Sequence, residues 1–235
     1  MERVEFELRS EGVKPIEPNP LRSGIHTRGY LPHVKCEGAR YFVTFRLNDS
    51  LPREVLLKYE AEREERLHRF NVVQRASELE SSHRSMEDSI EEIERDYRRK
   101  IEGFLDHGCG ECWLRQVEIA DLVASAIQFF KGERYELDAW VVMPNHVHAV
   151  LWPFPNFTLS GILQSWKRYT SREANKILKR TGKPFWQREP FDHWIRNDEE
   201  HERCCRYVVQ NPVKAGLCSA PEDWKWSSAW RGLQL

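Results

Sequence analysis

The sequence predicts an α+β fold: one antiparallel sheet with helices on one face, plus a long polar helical insertion. Three observations carry this. Short runs rich in β-branched and aromatic residues recur along the chain, at 40–47, 134–143, 146–152 and 191–196. Two stretches between them, 116–130 and 158–180, show helical spacing. A third stretch, 53–103, is rich in Glu, Arg and Leu, has no proline, and has Gly103 as its only glycine.

The elements follow in order. Residues 1–39 are proline- and glycine-rich and read as an irregular arm. "RYFVTFRL" (40–47) is a strand that "NDSLP" ends. Residues 53–106 read as one or two helices, a hairpin broken near 71–77, and their apolar content is too thin for a separate core. Ile119, Leu122, Val123, Ala126, Ile127 and Phe130 line one face of an amphipathic helix. "RYELDAWVVM" is a strand, Pro144-Asn145 a turn, and 146–152 the strand that returns. A basic helix covers 158–180 and "FDHWIR" (191–196) is the last strand. Asp198 can cap a helix over 199–211, which Pro212 ends, and 212–235 form a tail carrying "WKWSS". With 53–106 set aside, the order is βαββαβ and a final helix, the ferredoxin-like or RRM-like arrangement in a single domain over 1–235.

Forty per cent of the 235 residues are hydrophobic, enough for a real core. No run approaches the roughly 18 consecutive apolar residues of a membrane span. The charged start "MERVEFELRS" has no signal-peptide apolar region, so a cytoplasmic protein is expected. Six cysteines in a chain this long do not suggest a disulfide framework.

The net charge of −1 conceals a split. Residues 58–106 hold fourteen acidic and ten basic side chains, a net of −4, which leaves +3 for the rest. The basic centre is 161–197, where Lys167, Arg168, Arg172, Lys176 and Arg188 interleave with Trp166, Tyr169, Phe185, Trp186 and Trp194. Such interleaving suits a phosphate backbone with stackable bases, and equally an ordinary solvated helix face.

Strand side chains alternate faces, so His146 and His148 in "VVMPNHVHAV" point the same way, roughly 7 Å apart. Two same-face imidazoles can chelate one metal ion and leave positions open for substrate; they can also be a pair of hydrogen-bonded histidines. Cys109 and Cys112 have zinc-like spacing but no second pair at the expected distance, and read as incidental.

Taken together, "AWVVMPNHVHAVLWP", "SWKRYTSREANKIL", "GKPFWQREPFDHWIRNDEEH", "RYVVQNPVKAGL" and "WKWSS", with "RGYLPH" and "ARYFVTFRLNDSLP" upstream, resemble the REP-associated tyrosine transposases. These are bacterial relatives of single-tyrosine insertion-sequence transposases within the HUH nuclease superfamily. The resemblance covers about residues 28–52 and 108–230.

The resemblance implies a divalent cation, Mg²⁺ or Mn²⁺, on His146 and His148, with Tyr207 as nucleophile and Asn211 as third ligand. The i, i+4 spacing puts Tyr207 and Asn211 on one helix face. Gln210 is the fallback ligand, and Tyr169, with Glu173 at i+4, the rival nucleophile. Implied too are a 5′-phosphotyrosine intermediate and single-stranded, REP-like hairpin DNA as partner, with no membrane and no small-molecule cofactor, in a monomer or dimer. Lys214 could contact phosphate or cap its helix. Residues 53–103, carrying none of these groups, are expected to be dispensable for cleavage. A non-catalytic single-stranded nucleic-acid binder and a metal-dependent hydrolase of another class are the alternatives.

Overall fold

A computed structural model describes residues 24–27, 32–35, 38–76 and 83–232. Strands β1 (Gly24–Thr27) and β2 (Pro32–Lys35) pair antiparallel. The rest of the predicted 1–39 arm, apart from Gly38 and Ala39, lies outside the described residues. Then come β3 (Arg40–Arg46), α1 (Arg53–Ala76), α2 (His83–Asp106), α3 (Val117–Gln128), β4 (Tyr135–Val142), β5 (His146–Pro153), α4 (Leu159–Ile177), β6 (Phe191–Ile195) and α5 (Asp198–Lys214).

The main sheet has the order β4-β5-β3-β6, every neighbour antiparallel. That is the strand order of the ferredoxin-like βαββαβ unit, with α3 and α4 as its two crossovers. Alternation along β3 divides the chemistry of the sheet. Tyr41, Val43 and Phe45, with Val147, Ala149 and Leu151 of β5, pack under Ile119, Val123 and Ile127 of α3 and Leu163 and Trp166 of α4. Phe42 of β3 and Val150 of β5 face the other way, against Val208 of α5. The two crossover helices therefore share one face, as expected, and the final helix covers the other.

Buried polar groups on the crossover side are satisfied. Tyr135 donates its hydroxyl to the Ile127 carbonyl at 2.8 Å and accepts from Trp166 Nε1 at 3.0 Å. Trp186 Nε1 reaches Thr170 Oγ1 at 2.8 Å.

Two boundaries differ from expectation. The cap of α5 is Asn197, whose side chain accepts from the Glu200 amide, and not Asp198. Asn197 has the extended backbone that a cap requires. Pro212 lies inside α5, which runs on to Lys214 before Gly216 closes it in the left-handed conformation. The ring removes one donor, and the turn beyond is held by Ala215 and Leu217 amides on the Asn211 and Pro212 carbonyls. The "WKWSS" tail docks on β4: Val142 donates to the Trp226 carbonyl, Trp224 Nε1 donates to the Val142 carbonyl, and Ser227 bridges Val141. This covers what would otherwise be a bare sheet edge.

Helices α1 and α2 pair as the predicted hairpin, although α1 runs through to Ala76, past most of 71–77 where the break was expected. Arg63–Glu94 and Arg66–Asp96 at 2.6 Å and Lys100–Glu62 at 2.9 Å join them. Partly exposed pairs of this kind add little to stability and serve mainly to set how the two helices face each other. Burial of Ile93, Tyr97 and Leu105 fixes which face of α2 turns inward.

Tyr135→Phe should destabilise the fold by about 1–3 kcal/mol, because it orphans the buried Trp166 N–H and the Ile127 carbonyl together. Denaturant unfolding checks this, and Trp230→Phe at an exposed position serves as the unaffected control.

Candidate active site

The site begins at the two-residue turn between β4 and β5. Pro144 and Asn145 let the chain reverse, with Met143 N–H on the His146 carbonyl at 2.8 Å. Asn145 is fully buried. Its amide nitrogen donates to the Leu105 carbonyl at 3.1 Å and the Cys109 carbonyl at 3.0 Å. Two carbonyls can only accept, so the amide oxygen must face the other way, toward His146 Nδ1 at 2.7 Å. That oxygen also only accepts. His146 therefore carries its proton on Nδ1 and leaves the Nε2 lone pair open.

His148 repeats the pattern with a different partner, its Nδ1 lying 2.7 Å from Thr44 Oγ1 across the β3–β5 register. The two imidazole rings are 4.6 Å apart at their centroids and fully buried. Burial pushes the pKa of His146 down to about 3 and that of His148 well below the ordinary value. Nearby cations, Arg46 for His146 and Lys214 for His148, push the same way. Both rings are thus neutral, the form that ligates metal.

Helix α5 brings the other two groups. The Tyr207 ring packs edge-on to His148, centroids 5.4 Å apart, and to Phe42 at 5.9 Å. Asn211, one turn on, is fully buried, and its amide approaches the Tyr207 hydroxyl closely enough to favour ionisation without completing a hydrogen bond. Gln210 is only half-buried. Lys214 holds its ammonium 4.7 Å from the centre of the Tyr207 ring.

Among the described residues, nine buried side-chain nitrogen and oxygen atoms lack a partner. Five belong to four residues here: His146 Nε2, His148 Nε2, both amide atoms of Asn211, and Arg46 Nη1. Native proteins leave few such groups, so their concentration marks a place built for something else to bind. Two imidazole nitrogens and an amide oxygen fit a divalent cation with positions left open. No group of three or more His, Cys, Asp or Glu side chains suited to a metal occurs among the described residues. The Cys112 thiol is turned to the Gly108 carbonyl, at 3.1 Å, which agrees with an incidental Cys109–Cys112 pair.

One group escaped sequence reasoning. Glu102, in the last turns of α2, faces the Tyr207 hydroxyl within hydrogen-bonding reach. Burial raises its pKa to about 7, against the lowering effect of the phenol, Arg98 and Lys214. Tyr207 in turn is pushed far above its ordinary value, first by burial and then by the Glu102 and Asp106 charges. The phenol is therefore neutral, and Glu102 beside it ionises only as the pH passes about 7. The expectation that 53–103 carry no group of the site is thereby corrected, because Glu102 lies within that stretch. The signal was available: Tyr97, Ile101 and Leu105 at i, i+4 spacing mark the inward face of α2, and Glu102 borders it.

The residues expected to bind DNA divide. Lys167 is committed inside the chain, its ammonium donating to the Gln187 and Arg188 carbonyls (2.8 Å to the latter), and burial lowers its pKa to about 8. Arg172 and Lys176 pair with Glu173 at 2.6 and 2.9 Å on the exposed face of α4, where Arg168 is also exposed. All four ride on α4, across the sheet from the histidines. So does Tyr169, 46% exposed, with the Arg172 guanidinium 5.9 Å from its ring centre. Arg188 and Lys214 are on the histidine side, Arg188 lining the cleft beneath α1 and α2.

The family model described as "Transposase IS200 like" matches residues 115–211. Residues 115–211 form an IS200-like transposase domain. The REP-associated tyrosine transposase of Escherichia coli K12 is 31% identical over 113 residues, 48% of this chain and 66% of its own length. A relative from Haemophilus influenzae is 26% identical over 109 residues, 43% of this chain and 62% of its own length. The chain thus matches a little under two thirds of each relative's length. A solved structure of a REP-associated tyrosine transposase bound to a REP hairpin covers 87% of this chain at 18% identity and a TM-score of 0.45. The IS200-like domain contains His146, His148, Tyr207 and Asn211, whereas Thr44, Arg46 and Glu102 reach the site from outside it. No helix among the described residues is long and apolar enough to cross a membrane.

Asn145→Ala should weaken Mn²⁺ binding about 10–100-fold, the usual cost of losing a group that orients a ligating histidine. Calorimetric titration checks it, and unchanged affinity would remove Asn145 from the support of the site.

Proposed function

We propose that the chain is a divalent-metal-dependent strand transferase that cuts and rejoins single-stranded DNA beside REP-like hairpins through Tyr207. The observation that carries this is the set of buried, unpartnered His146 Nε2, His148 Nε2 and Asn211 amide beside the partly buried Tyr207. The relatives' names supply the REP association, and the family resemblance the hairpin form of the substrate.

His146, His148 and Asn211 would hold Mg²⁺ or Mn²⁺. When bound, the cation supplies Lewis-acid polarisation of the scissile phosphate. The chain's own residues do the rest. Asn145 and Thr44 fix the two imidazoles, and packing against Phe42 and His148 fixes the Tyr207 ring. The phenol O–H bond breaks as its proton passes to the Glu102 carboxylate. The phenolic oxygen forms a bond to phosphorus, and the bond from phosphorus to the 3′ oxygen breaks, that oxygen taking a proton from solvent. The 5′-phosphate stays on Tyr207. A 3′-hydroxyl attacking the phosphotyrosine reverses the steps, Glu102 returning its proton to the phenolic oxygen. Lys214 over the ring favours the phenolate.

Tyr207→Phe should abolish cleavage and the covalent protein–DNA adduct on a denaturing gel while hairpin binding persists, since only the hydroxyl is lost. His146→Ala should also stop cleavage, with partial recovery at raised Mn²⁺, a recovery Tyr207→Phe never shows. Tyr169→Phe should keep its activity; adduct formed by Tyr207→Phe but not by Tyr169→Phe would reassign the nucleophile.

Glu102 must be ionised to accept the proton, and its pKa is raised to about 7. The charged groups facing it are Tyr207, Arg98, Asp106 and Lys214. Cleavage should therefore rise with pH through that value and fall below it as the carboxylate protonates. Glu102→Gln should slow cleavage by about 10²–10⁴-fold and flatten this rise. A slow variant that keeps the wild-type pH profile would make Glu102 structural only.

A further inference from the structure

Between the α1–α2 hairpin and the edge of the sheet lies a cleft of about 710 Å³. That is within the range of about 300–1,000 Å³ typical of ligand sites. Its floor is Thr44 and Arg46 of β3; Glu60, Tyr97 and Glu102 come from the hairpin, and Phe191 from β6. Two of these touch the candidate active site directly, Thr44 through His148 and Glu102 through Tyr207. The cleft is thus continuous with the place where a scissile phosphate would lie.

Arg46 is the unexplained group. It stands opposite His146 in the β3–β5 register, on the histidine face. Its guanidinium is largely buried, its Nη1 has no partner, and no ion pair to it occurs among the described residues. The Glu60 carboxylate acts on it only from across the cleft, without an ion pair, so the guanidinium keeps an unfilled donor that an anion entering the cleft could take. Guanidinium presents a planar fork of donors that matches a phosphodiester. Arg188 lines the same cleft, and the half-buried Phe191 ring offers an apolar face under the Arg98 guanidinium at 5.5 Å.

We propose that this cleft receives the phosphodiester backbone of the single strand flanking the hairpin, with Arg46 as a phosphate ligand, so that α1 and α2 form the second wall of the strand channel. The inference rests on the strand-transferase reading. It also reverses the role expected of the acidic segment, from a detachable insertion to part of the DNA site.

The test is binding of two labelled DNAs to the full chain in the Tyr207→Phe background, which cannot cut: a hairpin with a single-stranded flank and the same hairpin without it. Arg46→Gln should weaken binding of the flanked hairpin about tenfold and lower the salt slope by about 1. It should leave the bare hairpin unchanged, and Arg46→Lys should recover part of the loss. Glu60→Gln, which removes a negative charge from the facing wall and threatens no packing, should tighten the flanked hairpin only. Arg46→Gln and Glu60→Gln both without effect on a wild type that binds and cleaves would overturn the cleft proposal and leave the strand-transferase reading standing. Equal loss for both DNAs would overturn it too, by placing Arg46 on the hairpin. A wild type that binds neither DNA would overturn both.

Discussion

The geometry of this site depends on which way one buried amide points. Asn145 gives both its N–H donors to carbonyls at the end of α2 and just beyond, so its oxygen has no choice but to face His146. A reversed amide would set nitrogen against imidazole N–H and oxygen against two carbonyls, three repulsive contacts at a buried position. The preference is therefore worth several hydrogen bonds. It selects the His146 tautomer, and with it the direction of the free lone pair. The same side chain pins the end of α2, so the placement of Glu102 and the orientation of His146 have one common cause.

Alternation along the strands then separates stability from chemistry. The α3–α4 face of the sheet is apolar and its polar groups are paired, as in Tyr135 with Trp166 and Trp186 with Thr170. The α5 face carries the histidines, Arg46, Asn211 and Tyr207, with five unpaired polar atoms among them. Leaving these unpaired is costly, and the well-packed opposite face is what makes the cost tolerable. A strand is a suitable carrier, since period-two geometry delivers His146 and His148 to one face with no further device.

Much of this was legible in the sequence for physical reasons. The βαββαβ order followed from periodicity, because both crossover helices bury a single stripe and every strand is β-branched or aromatic. The His146–His148 pair followed from alternation, and Tyr207 with Asn211 from helical spacing joined to the family resemblance. What was hidden depends on contacts between distant segments. Nothing local separates Glu102 from the other thirteen acidic residues of 58–106, except its place beside the Tyr97–Ile101–Leu105 stripe. Asn145 reads as a turn residue, and its second role needs Leu105 forty positions away. Lys167 looked like a phosphate contact because composition cannot show that two backbone carbonyls already hold its ammonium. Pro212 was expected to end its helix at once. A proline near the end forfeits only one donor, and the final turn closes beyond it.

The net charge of the helical hairpin is a poor guide to its relation with DNA. A total of −4 over 58–106 suggests repulsion, yet Glu62, Glu94 and Asp96 are matched by Lys100, Arg63 and Arg66 of the same hairpin. Paired charges at 2.6–2.9 Å present mostly a dipole, and the Debye length of about 8 Å at physiological salt removes much of what remains at a distance. What a strand in the cleft would meet is local: Arg46, Arg53, Arg98 and Arg188 against Glu60, Glu102 and Glu189. Among these, Glu102 faces the Tyr207 hydroxyl, where the proposed mechanism gives a carboxylate a chemical use beside an anionic substrate. A hairpin of net negative charge is compatible with an anionic substrate when the charges that line the cleft itself are not in acidic excess.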